Sequence, residues 1–317
     1  MTKLERVQRT LSGDTVDRPP VSMWYHFGVQ HRPGVEFARI SLDFFRHYDF
    51  DFLKLMNDYY YPLPDGVWEI ASGADLSRLQ RFDPEHSPWR EQLSAIDRVA
   101  GELAGEALFI DTIFEPWQTL ERTLAGEHLR RLMREEPSAL KSALDVVTDN
   151  LIAYAHASID RGSSGIFLSV MASEEFLTLD EAAEFELPYA RRVLEAVSDR
   201  APMNTLHAHG GSIYVDAVSS MPAAVLSYQD RGANNPTLSR MREHFDGCLM
   251  GGIDQTDFSP RTPRYVREHT REGIAAGGRK KFILANGCSI PSEVNPTVIH
   301  AVVDEAKSAA NSAPPST

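Results

Sequence analysis

Short apolar runs alternate along the chain with longer segments in which apolar residues recur at helical spacing. Runs of this length, bounded by glycine, proline or acidic residues, are typical of buried β-strands. We predict strands at residues 21–27, 52–58, 107–113, 165–171, 205–209, 223–228, 248–254 and 281–286. The intervening periodicity predicts helices at residues 3–12, 35–47, 93–105, 116–135, 137–161, 180–199, 262–277 and 295–311.

This alternation of eight strands with helices favours an α/β fold, a (β/α)8 TIM barrel. No glycine-rich dinucleotide fingerprint follows a strand, which argues against a doubly wound sheet. We expect a single barrel over residues 1–310. The small and polar end, residues 311–317, is expected to be a disordered tail.

Active sites of such barrels lie at the carboxyl ends of the strands, and polar or titratable residues end several of the predicted strands here. We expect catalytic roles for Asp58, His26 and Tyr228, and substrate contacts for Trp24, Tyr59, Tyr60, Asp254 and Glu174. Structural alternatives remain for several of them. Asp58 could cap a loop, the tyrosines could pack the surface, Asp254 could stabilise a turn or support a ligand imidazole, and Glu174 could simply be solvated.

The clearest chemical signal is a pair of histidines at the end of the fifth predicted strand. Strand side chains alternate, so His207 and His209 lie on the same side of the sheet, and Gly210 follows them in a turn. Together with Cys288 after the last strand, they form a plausible zinc set with an open fourth position, as in catalytic sites. The alternatives are hydrogen-bonded histidines without a metal, and a cysteine that acts as a small buried hydrophobe.

Composition narrows the possible partners. The chain has 317 residues, 42% hydrophobic and 24% charged, as is ordinary for a soluble globular protein. A net charge of −13 argues against nucleic acid or anionic membrane surfaces and leaves small neutral or cationic molecules open. Two cysteines, no signal peptide and no membrane-length apolar run predict a cytoplasmic protein.

Over nearly its whole length the chain resembles the uroporphyrinogen decarboxylase superfamily. The resemblance rests on short motifs in a fixed order: residues 11–14 (LSGD), 17–20 (DRPP), 49–51 (DFD), 206–210 (LHAHG), 250–254 (MGGID), 286–288 (NGC) and 290–291 (IP). It implies one distorted (β/α)8 barrel.

One branch of this superfamily, the true decarboxylases, carries a Met-Arg-Gln-Ala-Gly-Arg motif after the first strand, and its arginines pair with porphyrinogen carboxylates. Residues 23–28 of this chain read MWYHFG and contain no arginine. Tyrosine and histidine do not replace bidentate guanidinium contacts. The pyrrole-binding aspartate of the decarboxylases does have a counterpart, Asp58. On balance, we do not expect uroporphyrinogen itself to be the substrate.

The other branch, which the chain resembles more, is that of the methylcobamide:coenzyme M methyltransferases. These enzymes bind zinc through a His-x-Cys pair after the fifth strand and a cysteine after the eighth. His207 and Cys288 match two of those positions, whereas His209 replaces the middle cysteine. Because a neutral histidine replaces a thiolate, the zinc site keeps one more positive charge than in these enzymes. It should therefore acidify a bound thiol or water more strongly, while making the thiolate less nucleophilic.

The resemblance leads to three hypotheses. The first is a zinc-dependent enzyme that transfers a methyl group to a thiol or similar small acceptor, from a methylated corrinoid carried by a partner protein. The alternative is a decarboxylase or lyase of a small carboxylated substrate that relies on Asp58. The third is a catalytically idle barrel that binds a tetrapyrrole or corrinoid. A homodimer stays open.

Overall fold

The computed structural model of the chain describes residues 1–256 and 258–309. Its strands form one parallel sheet in sequence order: β1 (Phe52–Leu55), β2 (Leu108–Phe114), β3 (Ile166–Val170), β4 (Thr205–Ala208), β5 (Val225–Tyr228), β6 (Cys248–Ile253) and β7 (Phe282–Asn286). Seven of the eight predicted strands are thus confirmed, most of them one to three residues shorter than expected. The predicted tail, residues 311–317, lies outside the described residues.

Helices connect the strands and cover the sheet. They are α1 (Lys3–Leu11), α2 (Gly34–Tyr48), α3 (Gly73–Leu76), α4 (Arg90–Leu103), α5 (Pro116–Leu120), α6 (His128–Glu135), α7 (Pro137–Asp160), α8 (Leu179–Phe185), α9 (Leu187–Val197), α10 (Val215–Ser219), α11 (Leu238–Met241), α12 (Pro263–Gly277) and α13 (Pro296–Ser308). A short 3-10 helix spans Pro84–His86 and a π-helical turn spans Glu121–Ala125. Across the described ranges, no helix combines the length and apolar character that a membrane span requires.

Two long predicted helices are interrupted. The helix expected at 116–135 splits into α5 and α6 around the π-helical turn and Gly126, whose φ of 48° is left-handed. The helix expected at 180–199 splits into α8 and α9, because Pro188 in the first turn of α9 has no N–H to donate to the preceding turn. Apolar periodicity alone did not reveal either break.

The predicted first strand, residues 21–27, is wrong as a strand. Only Val21 makes a β-bridge, to Leu284. Trp24 instead hydrogen-bonds the carboxamide of Asn286, with its N–H donating to Oδ1 at 3.3 Å and its carbonyl accepting from Nδ2 at 3.3 Å. Side-chain bonds therefore replace a strand ladder beyond Ser22.

Residues 20–22 nevertheless join the two edges of the sheet. On one side, Leu284 of β7 makes two backbone hydrogen bonds to this segment. Its N–H donates to the carbonyl of Pro20, and its carbonyl accepts from the N–H of Ser22. On the other side, Asp51 N–H donates to the carbonyl of Val21, next to β1. The sheet is thus closed into a barrel-like form with seven strands and an irregular eighth segment.

A buried cluster of charges fixes this segment. The carboxylate of Asp51, fully buried, accepts from both terminal nitrogens of Arg18, at 2.5 and 3.0 Å, and from Arg6 at 2.7 Å. It also accepts from the N–H of Val21 at 2.8 Å. The DRPP and DFD motifs therefore serve the structure, since they bind the chain entering the barrel to the start of β1.

The register of the sheet determines which side chains face the barrel interior. Ser169, His207 and Ser227 are partners across β3, β4 and β5, so their side chains lie on one face. Alternation along β1 and into Met56, which follows it, places Phe52, Lys54 and Met56 on one face, and Lys54 reaches Thr112 of β2 across the interior. This inner layer leads to the carboxyl ends of the strands, where the candidate site lies.

Candidate active site

The three predicted metal ligands meet at the carboxyl end of the sheet. His207 is the third residue of β4, His209 follows the end of that strand, and Cys288 lies two residues beyond β7. One nitrogen from each histidine and the cysteine sulfur all lie within 4.8 Å of one another, with Sγ of Cys288 3.5 Å from Nδ1 of His209. We call these three residues the triad. Tetrahedral zinc holds neighbouring nitrogen and sulfur ligands about 3.5 Å apart, which the Cys288–His209 distance matches.

Neighbouring groups orient the two imidazoles. Nδ1 of His207 lies 3.2 Å from Oγ of Ser227, which leaves Nε2 for a metal, and the ring stacks on Phe167 at 5.0 Å. The ring of His209 stacks on Phe176 at 5.5 Å. Both rings are therefore fixed by contacts outside the triad.

Burial determines the protonation of the triad. It lowers the pKa of His207 well below its ordinary value, and the nearby His209 and Lys54 lower it further. Burial likewise lowers the pKa of His209. Both imidazoles are thus neutral at physiological pH, the form that binds metals. Burial raises the pKa of the Cys288 thiol, so without a cation beside it this thiol keeps its proton.

The turns next to the ligands require particular residues. Gly210 has a φ of 95°, and a Cβ atom there would lie 2.6 Å from both Phe176 and Oγ of Ser173. Only glycine therefore fits after the histidine strand. On the other side, Nδ2 of Asn286 donates to the carbonyl of Cys288 at 2.6 Å and fixes the turn that carries the thiol.

A small cavity of about 70 Å³ lies on the β1–β3 side of the triad. Besides the triad, it is lined by Trp24, His26, Lys54, Met56, Thr112, Phe114, Gln118, Arg122, Phe167, Ser169 and Ser289. We call it the lysine cavity. It combines aromatic walls with two cationic side chains, which makes it suited to a small and partly anionic molecule.

Lys54 is the most unusual residue in this cavity, and sequence analysis did not select it. It is 4% exposed, and its Nζ donates to Oγ1 of Thr112 at 2.9 Å and lies 4.2 Å from the ring centre of Phe167. Burial is the main cause that lowers its pKa to about 7. A lysine flanked by Leu53 and Leu55 in an apolar run was the available signal.

Arg122 was also missed. It belongs to the π-helical turn, and its guanidinium carbon lies 3.9 Å from the ring centre of Phe114. Burial lowers its pKa, and within the described parts of the chain no carboxylate forms an ion pair with it. An arginine thus reaches the site from the segment after β2, although residues 23–28 contain none. No local sequence pattern indicates this.

A second cavity, of about 280 Å³, lies on the β5–β7 side of the triad. Besides the triad, it is lined by Glu175, Ala208, Gly210, Gln229, Gln255, Thr256, Gly287, Ser289 and Pro291. We call it the glutamate cavity. Because all three members of the triad line both cavities, the triad forms the wall between them.

The predicted catalytic residues His26 and Asp58 lie together at the mouth of the site. Nδ1 of His26 is 2.6 Å from Oδ1 of Asp58, and His26 lines the lysine cavity. The side chain of Asp58 is 17% exposed, whereas that of His26 is 40% exposed. The aspartate therefore orients the imidazole.

The predicted aromatic contacts divide into two groups. Trp24 is buried in the wall of the lysine cavity, with Nζ of Lys54 5.1 Å from its ring centre. Tyr59 lines a neighbouring cavity that shares Arg122 with the lysine cavity, and its hydroxyl donates to the carbonyl of Arg32. Tyr60 is 63% exposed. Neither tyrosine lines the two cavities beside the triad.

The structure places Tyr228 away from the site. It pairs with Ala208 in the sheet, one position beyond the His207–Ser227 pair, so its side chain lies on the opposite face and points towards the helices. Its buried hydroxyl has no hydrogen-bond partner among the described residues. The prediction of a catalytic Tyr228 assumed that every side chain at a strand end faces the interior.

Asp254 stabilises a turn and does not support a ligand imidazole. Its Oδ1 accepts from the N–H and the hydroxyl of Thr256, at 2.9 and 2.6 Å. Its own N–H donates to Nε2 of His269 on α12. These contacts match the alternative in which Asp254 stabilises a turn.

Glu174 and Glu175 are both exposed, and Glu174 lines neither cavity. Its neighbour Glu175 takes the position expected for it. Oε2 of Glu175 accepts from the N–H of Gly211 at 2.8 Å, and the side chain lines the glutamate cavity beside His209. Two adjacent glutamates in a loop cannot be distinguished by pattern alone.

The sequence matches the family model described as uroporphyrinogen decarboxylase over residues 61–309. Among curated proteins, uroporphyrinogen decarboxylase 2, chloroplastic, of Arabidopsis thaliana is 23% identical over 89% of this chain and 80% of its own length. The uroporphyrinogen decarboxylase of Shewanella amazonensis is 26% identical over 79% of this chain and 77% of its own length.

Solved structures share the fold. A methyltransferase from Methanosarcina mazei superposes with a TM-score of 0.78 at 15% identity, covering 97% of this chain and 99% of its own. The putative vitamin-B12-independent methionine synthase from Listeria monocytogenes superposes with a TM-score of 0.58 at 10% identity, covering 88% of this chain and 86% of its own. At these identities the likeness establishes the fold alone.

Proposed function

This chain belongs to the uroporphyrinogen decarboxylase family, and from that premise we propose that it is a zinc enzyme that methylates a small thiol. The observation that carries the proposal is the triad: His207, His209 and Cys288 bring two nitrogens and a sulfur within 4.8 Å at the end of the barrel. Such a set suits zinc and leaves a fourth position open, as in catalytic sites.

The triad would hold the ion as two neutral imidazoles and one thiolate. When bound there, zinc supplies Lewis acidity that lowers the pKa of a thiol or water at the open position. Because His209 stands in place of a second thiolate, one positive charge stays uncompensated, which favours ionisation of the substrate thiol and lowers its nucleophilicity.

The reaction we propose balances as a displacement at carbon. The thiol releases its proton to solvent, and its sulfur forms a bond to the methyl carbon as the bond between that carbon and the donor breaks. With a methylated corrinoid on a partner protein as the donor, the electron pair of the broken bond stays on cobalt. The products are a methyl thioether and the reduced corrinoid.

The surrounding residues suit this chemistry. Lys54 lies next to the triad, and its protonated form favours an ionised thiol electrostatically. The rings of Trp24 and Phe167 flank that amine and exclude water from it. Two cavities on either side of the triad give a thiol and a methyl donor separate routes to the same point.

A second candidate is decarboxylation of a small carboxylated substrate without metal. Two observations favour it: Arg122 lines the lysine cavity without a carboxylate partner among the described residues, and Asp58 with His26 lies at its mouth. Arg122 would bind the carboxylate, and Asp58 would stabilise positive charge that develops as carbon dioxide leaves.

The direct test is an anaerobic assay of the zinc-loaded protein with methylcobalamin and small thiols, with methyl thioether measured by mass spectrometry. The proposal expects product that depends on the protein and disappears in Cys288→Ala. Equal product from the wild type and Cys288→Ala would contradict it.

A further inference from the structure

The triad separates two cavities of opposite charge. The lysine cavity contains the cationic side chains of Lys54 and Arg122. In the glutamate cavity, Glu175 is the one side chain outside the triad that carries a formal charge, among the described residues that line it. A ligand that reaches the triad from this side therefore meets a negative potential, whereas one from the other side meets a positive potential.

Glu175 is held in place for such a contact. Its Oε2 accepts from the N–H of Gly211, in the turn that follows the histidine strand, at 2.8 Å. This bond fixes one oxygen of the carboxylate beside His209 and leaves the other oxygen to accept from a ligand. The position is thus defined by the main chain next to the triad.

Gln255 contributes a hydrogen-bond acceptor, Oε1, that has no donor among the described residues. It is 5% exposed and lines the glutamate cavity, yet its Oε1 accepts no hydrogen bond from any described residue. A Cβ atom built on Gly287 would lie 2.9 Å from this oxygen, so the carboxamide packs against the turn that carries Cys288. A buried acceptor without a donor destabilises the protein, and a ligand N–H would remove that cost.

We propose that the glutamate cavity binds the protonated amine of an aminothiol whose sulfur reaches the triad. Glu175 pairs with the ammonium group and Oε1 of Gln255 accepts one of its N–H bonds. This inference rests on the proposed function, since it requires a thiol at the triad. It specifies that function further, by selecting thiols with a primary amine.

Other ligand classes fit this cavity less well. A thiol with an anionic tail would face repulsion from Glu175, and no lysine or arginine is among the described residues that line this cavity. A quaternary ammonium has no N–H and would leave Oε1 of Gln255 unsatisfied. A neutral hydroxythiol would satisfy the carboxamide and would make no ion pair.

The test is calorimetric titration of the zinc-loaded protein with cysteamine, 2-mercaptoethanol and 3-mercaptopropionate. We expect cysteamine to bind about tenfold more tightly than 2-mercaptoethanol, because a charged hydrogen bond to a carboxylate is added, and 3-mercaptopropionate to bind most weakly. Since the three thiols differ in their own acidity, the decisive quantity is the change of this ratio between variants.

Glu175→Gln should abolish most of the cysteamine preference while circular dichroism stays unchanged, and Gln255→Met should reduce it further. The matched control is Glu174→Gln, which removes an adjacent carboxylate that lines neither cavity and should leave the ratio unchanged. The same ratio in the wild type and Glu175→Gln would overturn the amine site while leaving the proposed function intact. If no thiol binds to the zinc-loaded protein, the proposed function fails, and this inference fails with it.

Discussion

Sγ of Cys288 lies 3.5 Å from Nδ1 of His209, although the two residues are 79 positions apart in the sequence. The contact exists because β4 and β7 end at the same edge of a parallel sheet, and because Asn286 fixes the turn before the cysteine. It brings a soft sulfur donor to a neutral imidazole in a half-buried position. The proposed zinc site depends on this contact.

The first prediction concerns the stability cost of Lys54. Replacing the buried amine by a similar apolar side chain in Lys54→Met should raise the free energy of unfolding at pH 7, by an amount on the order of a few kcal/mol. The reason is that burial lowers the pKa of the amine to about 7 in the folded protein, from an ordinary value of 10.5.

The difference in unfolding free energy between Lys54→Met and the wild type depends on pH. Between those two pKa values the unfolded chain binds the proton more tightly, so wild-type stability rises with pH relative to the variant. The advantage of Lys54→Met should be fully present below about pH 7 and should shrink towards pH 10. Urea denaturation of both proteins at several pH values measures it. An advantage that grows with pH would refute the buried-amine account.

The second prediction concerns the closure of the barrel. Asp51→Asn should lower the free energy of unfolding by about 3–5 kcal/mol, because two buried arginines lose their shared carboxylate. The matched control is Asp49→Asn, which removes a carboxylate two positions away. Asp49 pairs with Lys3 and Lys307 at the surface, and its side chain is 55% exposed. That change should cost less than about 1 kcal/mol. Similar losses in both variants, by chemical denaturation, would be inconsistent with a structural role for the Asp51 cluster.

Much of the fold could be predicted from apolar runs and their spacing, since seven strands occur where the pattern indicates them. The first strand failed because an apolar run does not show where backbone donors go. Trp24 follows two prolines closely and finds its partner in the side chain of Asn286, 262 positions away. Such a bond has no local signature.

The triad could be predicted because two histidines one residue apart share a face of a strand, whatever the exact register. The face of the sheet on which a single side chain at a strand end lies could not be predicted, because it depends on the register of the strand. Tyr228 shows this: it lies next to the inward Ser227 and faces outwards. Lys54 was predictable in principle, because a lysine within a buried apolar strand needs a reason to be there.

The third prediction separates the two candidate functions. Asp58→Asn keeps the shape that accepts a hydrogen bond from His26 and removes the charge. If the triad activates a thiol, this variant should lose activity only a few-fold and retain zinc, whereas Cys288→Ala should be inactive.

For a decarboxylation without metal, we expect the opposite result: Asp58→Asn should lose more activity than Cys288→Ala. Loss of one such electrostatic contact at Asp58 typically costs about 3–4 kcal/mol, roughly a hundred- to thousandfold in rate. An inactive Asp58→Asn beside an active Cys288→Ala, in steady-state assays of both, would favour the decarboxylase and count against methyl transfer.

The fourth prediction is that the protein does not decarboxylate uroporphyrinogen at a useful rate. Residues 23–28 contain no arginine, and Arg122 is the one guanidinium among the described residues lining the lysine cavity. A single arginine cannot pair with the several carboxylates of this substrate. An anaerobic assay beside an authentic decarboxylase measures the rate. Turnover comparable to that of the control enzyme would show the prediction to be wrong.

We expect His207, His209 and Cys288 to hold zinc, and the metal content of the purified protein decides whether they do. Elemental analysis of protein purified without chelator, before and after loading with zinc, should give about one zinc per chain. His207→Ala, His209→Ala and Cys288→Ala should each lose the metal while keeping the helical circular dichroism signal. Cys248→Ala, which removes the other cysteine, buried in β6, should retain it. Full zinc retention in all three triad variants, or no zinc in the loaded wild type, would contradict the account.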